Sequence, residues 1–292
     1  MISILPLMLA ALIAGQAAPP AEPSQALAFD QTVPAARGTR ISVKNPAGEI
    51  IMRTWDRDAV RVTARHNARA RVGLRTADNT IWVAGGGMGA IDYDITVPSW
   101  MPVKVSGHYN YIELNGMGSE VSAENVRGDI DIKGGRGFIT ATSIEGRIAI
   151  SGTQGKVTAT TVNEHLTVDN ATGELSVEST NGNITLTAIK SSAVRVSALN
   201  GTVRYSGPLA DQGRYGFVTH NGSIRLEIQQ NPNATFYVRT YGGSFHHGGV
   251  NLKPQGEARR GRRNTFVGGT GSAQVEVESF QGSVRVFTAG GQ

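Results

Sequence analysis

The side chains that could carry chemistry in this chain are basic, and they gather toward its end. The segment from 246 to 270 holds His246, His247, Lys253, Arg259, Arg260, Arg262 and Arg263. Guanidinium groups at this density attract polyanions by charge and offer paired N–H donors to phosphate or carboxylate. A second set is sparse but regular. Arg204, Arg225 and Arg285 hold the same place in a repeated pattern as Asp131, Ala149, Thr167, Thr185 and His246. Residues 201–292 carry 10 basic and 5 acidic side chains, against 8 and 10 in residues 101–200. Both sets are candidate contacts for an acidic glycan, lipopolysaccharide or an envelope protein. The competing reading is a solvated loop and a solvated sheet face.

Other chemistries find less support. Neighbours in a strand point to opposite faces, so His246 and His247 make a poor pair of metal ligands. Asp129 and Asp131 share one outward face and read as a solvated pair. No Gly-x-Ser-x-Gly, His-Glu-x-x-His or P-loop occurs in the sequence, and these are the motifs that carry nucleophile, zinc and phosphate chemistry. The repeats also lack the Gly-Gly-x-Gly-x-Asp pattern of calcium rolls. A net charge of only +5 on a chain with an export leader argues against nucleic acid. No catalytic residue, metal or cofactor is expected.

The element that must position the basic residues is a repeat. Gly128-Asp129-Ile130-Asp131-Ile132 is followed by Gly146-Arg147-Ile148-Ala149-Ile150 and then by Glu164-His165-Leu166-Thr167-Val168. Gly182-Asn183-Ile184-Thr185-Leu186 and Gly201-Thr202-Val203-Arg204-Tyr205 complete the series, at steps of 18, 18, 18 and 19 residues. A second set in the same phase starts at Ser119, Gly137, Gly155, Gly173 and Ser192. Third and fifth positions are apolar and second and fourth mostly polar, which is the period of a half-buried strand and not of a helix. Two short strands per period predict an all-β fold, a β-solenoid of about 18 residues per coil. Coils would then stack at roughly 4.8 Å. Asn181-Gly182, Asn200-Gly201 and Asn221-Gly222 suit corners, where close approach or a left-handed backbone is needed.

The template continues at Tyr215 and Phe217, Ile224 and Leu226, Phe236 and Val238, Phe245, Val275 and Val277, and Val284 and Val286. Its inward residues enlarge toward the C-terminus, which predicts a core that widens or changes cross-section. Insertions lengthen the chain after the glycine strands near 207–211, 229–233 and 246–270. All fall at one corner, where solenoids often place binding surfaces.

Of 292 residues, 37 are glycine, none is cysteine and 17% are charged. That composition fits a folded β-rich chain. Ile2 to Ala14 is an apolar run followed by Gly15 and Ala17, which resembles a secretory signal peptide cleaved after Ala17. The run is too short to span a bilayer comfortably. Without cysteine, lipoprotein anchoring at a cysteine is excluded. The expected organisation is a signal peptide over 1–17 and a linker over 18–38. An N-terminal β region capping the solenoid follows over 39–100. Solenoid repeats fill 101–287, with the insertion at 246–270, and a tail occupies 288–292.

Gly48-Glu49-Ile50 leads into Trp55-Asp56-x-Asp58, then Tyr93-Asp94-Ile95-Thr96-Val97-Pro98, then glycine coils with Asn-Gly corners. Gly268-Gly269-x-Gly271 precedes the last coil. This order resembles the bacterial “putative adhesin” β-solenoid domain family over roughly residues 39 to 287. The resemblance implies a solenoid fold and carries over no catalytic residue. The expected function is that of a secreted or periplasmic, non-enzymatic, adhesin-like or envelope-structural protein. The alternative is a polysaccharide lyase or hydrolase on a β-helix scaffold. An 18-residue coil is short for those enzymes, and no carboxylate cluster accompanies the arginines. Neither nucleic acid nor a transmembrane span is expected, and the sequence assigns no oligomeric state.

Overall fold

The computed structural model describes residues 27–257, 261 and 263–290, and among these all regular structure is β. Alternation of apolar and polar residues sends third and fifth template positions inward. From Val121 and Ala123 to Val203 and Tyr205, every one of these side chains is buried. Each coil gives one strand to each of two parallel ladders. The first ladder stacks Val121–Arg127, Arg136–Glu145, Gln154–Thr161, Thr172–Ser179, Lys190–Asn200 and Arg214–Asn221. The second stacks Ile130–Gly134, Ile148–Ser151, Leu166–Asp169, Ile184–Thr187, Val203–Ser206 and Ile224–Glu227. Long strands Arg40–Trp55 and Val103–Met117 belong to both ladders and pair over Ile41 to Met52. The fold is the all-β solenoid that the repeat predicts.

Corner glycines are fixed by close approach. A Cβ at Gly182 would lie 1.9 Å from the Glu164 carbonyl oxygen, and one at Gly222 equally close to that of Gly201. The asparagines before them do not adopt the left-handed backbone that was one reason to expect them there. Their amides form a ladder instead. Asn181 donates to Asn163 at 3.0 Å, Asn200 to Asn181 at 2.8 Å, and Asn221 to Asn200 at 2.8 Å. Two residues earlier, buried hydroxyls turn inward and donate to corner carbonyls: Thr219 to Gly201 and Ser279 to Gly222, both at 3.0 Å. This satisfies groups whose burial would otherwise be costly.

The N-terminal region differs from expectation in one respect. Residues 18–38 are not all linker, because Leu27–Pro34 is a strand paired antiparallel with Ala59–His66. Phe29 and Val33 alternate onto the core, and Asp30 meets Arg61 at 2.6 Å. Residues 1–26, including the leader, lie outside the described residues. A further strand, Ala70–Ala77, forms a hairpin with Thr80–Gly87. Its turn residues Asp78 and Asn79 have φ of 50° and 56°, the geometry of a two-residue primed turn. Ile91–Pro98 pairs with Arg40–Trp55 on one side and with Ala59–His66 on the other, which leaves Leu27–Pro34 outermost.

The C-terminal end contains the largest departure. Coils do not stack in chain order. The last strands, Ala273–Gln281 and Val284–Phe287, lie inside the stack, directly on Arg214–Asn221 and Ile224–Glu227. The earlier strands Ala234–Thr240 and Phe245–Gly248 stack outside them. Side-chain volume accounts for this order. Val275 sits between Tyr215 and Phe236, and Val277 between Phe217 and Val238. A valine coil thus separates two coils that carry rings, so the core alternates in size and does not widen steadily. The insertion at 246–270 also contains structure. Lys253–Gln255 and Asn264–Gly268 form a hairpin that pairs antiparallel with Ala234–Thr240. It covers the end of the first ladder, burying Val250, Leu252 and Phe266 and protecting an edge that would otherwise invite pairing.

Candidate functional site

Fourth-position side chains of the second ladder point outward and stack rung on rung. Thr185 is followed by Arg204, Arg204 by Arg225, Arg225 by Arg285, and Arg285 by His246. The expected order placed His246 before Arg285. Intercalation of the last coil reverses that and brings three arginines onto consecutive rungs, spaced about 4.8 Å along the stack. All three are exposed. Among the described residues, none has a hydrogen bond or an ion pair. Beside them runs a row of small hydroxyl residues, Thr202, Ser223, Ser283 and Ser244, the last two with oxygens 3.3 Å apart. Ser244 also meets His246 Nε2 at 2.8 Å. Like charges on neighbouring rungs repel, and among the described residues no ion pair offsets them.

Arg263 is not brought to this row. Arg263 contacts Glu276 at 2.7 Å and its guanidinium lies 4.1 Å from the Tyr237 ring centre. Tyr237 and Glu276 stand on the first ladder, so Arg263 is a paired residue on another face. Arg259, Arg260 and Arg262 lie outside the described residues. His247 turns inward beside Phe245 and Phe266, with ring centres 5.6 Å away in each case, while His246 points out. Among the described residues, no group of three His, Asp or Glu could hold a metal ion.

The family model described as Toastrack DUF4097 matches residues 39–286. The chain belongs to this family. None of the curated proteins compared with it matches. Three solved structures resemble the Toastrack chain. One is described as a “putative cell adhesion protein” from Clostridium sporogenes, 11% identical, covering 90% of this chain and 100% of its own, with a TM-score of 0.22. A “putative adhesin” from Bacteroides fragilis is 11% identical over 89% of this chain and 97% of its own, with a TM-score of 0.40. Another “putative adhesin”, from Parabacteroides distasonis, is 13% identical over 90% and 98%, with a TM-score of 0.28.

At the opposite end of the same column, the Toastrack chain is acidic. Glu113 and Asp131 occupy adjacent rungs. These acids have partners. Arg147 reaches Asp129 at 3.4 Å and Asp131 at 3.1 Å, and Lys133 reaches Glu113 at 3.5 Å. Tyr111 donates to Asp131 at 3.0 Å. Burial, reinforced by that hydrogen bond and the nearby carboxylates, pushes the Tyr111 hydroxyl up to about 12. A hydrogen bond donated by the Asn115 amide and the Lys133 charge hold the Glu113 carboxyl below its ordinary value. Asp129 and Asp131 are therefore not the solvated pair the spacing predicts. The face carries neutralised acids at one end and unneutralised arginines at the other.

Sequence reasoning missed a second feature of the Toastrack fold, at the corner before the Asn-Gly pairs. Leu199, His220, Phe280 and Tyr241 follow one another along the stack. His220 and Phe280 are stacked 4.6 Å apart with planes 6° from parallel, and Tyr241 lies 5.0 Å from Phe280. The residues sit at positions that read as turn residues, and only the stacking order shows that they touch.

Proposed function

We propose that this protein is an exported, non-enzymatic, adhesin-like solenoid that uses the Arg204–Arg225–Arg285 row to hold an acidic envelope polymer. The observation that carries this reading is the row itself: three exposed cations on consecutive rungs without a carboxylate partner. Such a row is held against its own repulsion, and a linear polyanion relieves it. The flanking hydroxyls add hydrogen-bond capacity to phosphate, sulfate or carboxylate oxygens. Periodic charge along a rigid axis suits an acidic glycan or the phosphates of lipopolysaccharide.

On heparin and on immobilised lipopolysaccharide, the mature protein is expected to be retained at low salt. It should elute as salt rises, since exposed charges are screened beyond about 8–10 Å near physiological ionic strength. Changing Arg204 and Arg225 to Ser should lower the eluting salt and leave the melting temperature unchanged or slightly higher. Arg147→Ser should do less, because Arg147 is already committed to Asp129 and Asp131. No retention on either matrix, or retention indifferent to the double change, contradicts the reading.

Export rests on the apolar run ending at Gly15-Gln16-Ala17. Mature protein from cells is expected to begin at or near Ala18 on N-terminal sequencing. Recovery of Met1 contradicts it.

A further inference from the structure

We infer that the corner groove beside Leu199, His220 and Phe280 is a second binding site, for a neutral linear glycan. It goes beyond the arginine row and rests on different residues. The groove has a cavity volume of roughly 350 Å³ and runs along the stack on the outward side of the first ladder. One wall is apolar and open to solvent. Leu199 is 48% exposed and Phe280 is 41% exposed. Large apolar groups are not normally left in a contiguous exposed strip without a partner.

The chemistry of the lining selects the partner. Phe280 and His220 are stacked on each other with planes 6° from parallel, and both remain exposed at the groove. The exposed parts of these rings, together with Leu199, offer apolar contact to the C–H groups of a pyranose ring. The floor supplies what sugar hydroxyls need: the hydroxyls of Thr160 and Ser197 and the carboxylate of Glu178. Glu178 is exposed and, among the described residues, has no hydrogen bond or ion pair. Charge decides between glycan classes. Among the described residues no lysine or arginine lines the groove, while Glu178 does, as does Glu278, which meets Arg239 at 3.8 Å. The unpaired Glu178 carboxylate disfavours an acidic polymer here, while the arginine row favours one, so the two faces select differently. The repeat adds a geometric reason. Successive rungs place Leu199, His220 and Phe280 at the same corner, and an amide ladder runs one residue further along the chain up to Asn221.

Affinity electrophoresis in gels containing hydroxyethyl cellulose, galactomannan or laminarin tests the inference. At least one of these neutral polymers is expected to retard the protein, and the retardation should persist at about 0.5 M NaCl, where charge attraction is screened. Phe280→Ala and Leu199→Ser should each weaken it about tenfold, the scale of one lost stacking or apolar contact. The change of Arg204 and Arg225 to Ser should leave it intact, which separates this site from the arginine surface. Both Phe280 and Leu199 are half exposed, and unchanged melting temperatures confirm that the variants fold. Retardation by none of the three polymers overturns the inference, as does retardation that survives both substitutions. So does self-association in sedimentation that Phe280→Ala abolishes without any glycan retardation, because the strip then belongs to a second copy of the chain.

Discussion

Ile184→Asp is expected to destabilise the protein by about 4 kcal/mol or more, because it places an unpaired charge among apolar side chains. Ile184 is fully buried, stacked between Leu166 on one rung and Val203 on the next. Among the described residues no basic side chain is buried in this core. At about 2–4 °C per kcal/mol for a chain of this size, the melting temperature should fall by roughly 8 °C or more. Thr167→Asp is the control. Thr167 lies one residue from the buried Leu166 but faces outward, between Ala149 and Thr185. Its substitution should shift melting by no more than about 0.5 kcal/mol, the range of ordinary surface changes. Equal shifts for the two variants in thermal denaturation would show that the strand phase is wrong.

Ending the chain at Thr270 should have a still larger effect, one that depends on coil order. If the last coil were a terminal rung, its loss would trim the stack and leave the remainder intact. Here Val275, Val277, Val284 and Val286 are interior and buried. Their removal takes away about 1.5 kcal/mol or more of burial for each valine. It also strips the support from Tyr215 and Phe217 on one side and from Phe236 and Val238 on the other. Solenoid rungs hold only through their neighbours. The segment from Ala234 onward should therefore detach, and limited proteolysis should cut it from a shortened core. A truncated protein in which residues 234–256 stay protease-resistant would contradict the observed order.

The repeat made the fold and the strand phase legible because burial depends on local alternation, and alternation is written in each nonapeptide. Coil order is different. The template Gly-x-Val-x-Val carries no address, so Gly282 to Val286 fits any neighbouring rung. Its place is decided by side-chain volumes on coils up to 60 residues away, as with Arg225 and Arg285 in register. The arginine column could be read as a column for the first reason, and its contiguity escaped for the second. Arg263 looked like part of the same surface because a run of arginines in an insertion gives no strand parity. Its partners Glu276 and Tyr237 come from two other strands. The strand Leu27–Pro34 was hidden because only Phe29 and Val33 mark its inner face. The corner asparagines were recognised as structural, but for the wrong reason. Their side chains bond along the stack, and backbone conformation does not require them.

The claim on which the arginine surface depends is that Arg225 and Arg285 are neighbours. The absence of cysteine makes this directly testable, since any introduced pair is the only thiol pair present. Adjacent rungs hold Cα atoms about 4.8 Å apart, within the 4.4–6.8 Å that a disulfide spans. The pair Arg225→Cys with Arg285→Cys should therefore cross-link on mild oxidation. Arg225→Cys with His246→Cys lies two rungs apart and should not. Cross-linking of 225 to 246, with 225 and 285 remaining free, would restore stacking in chain order and break the arginine row.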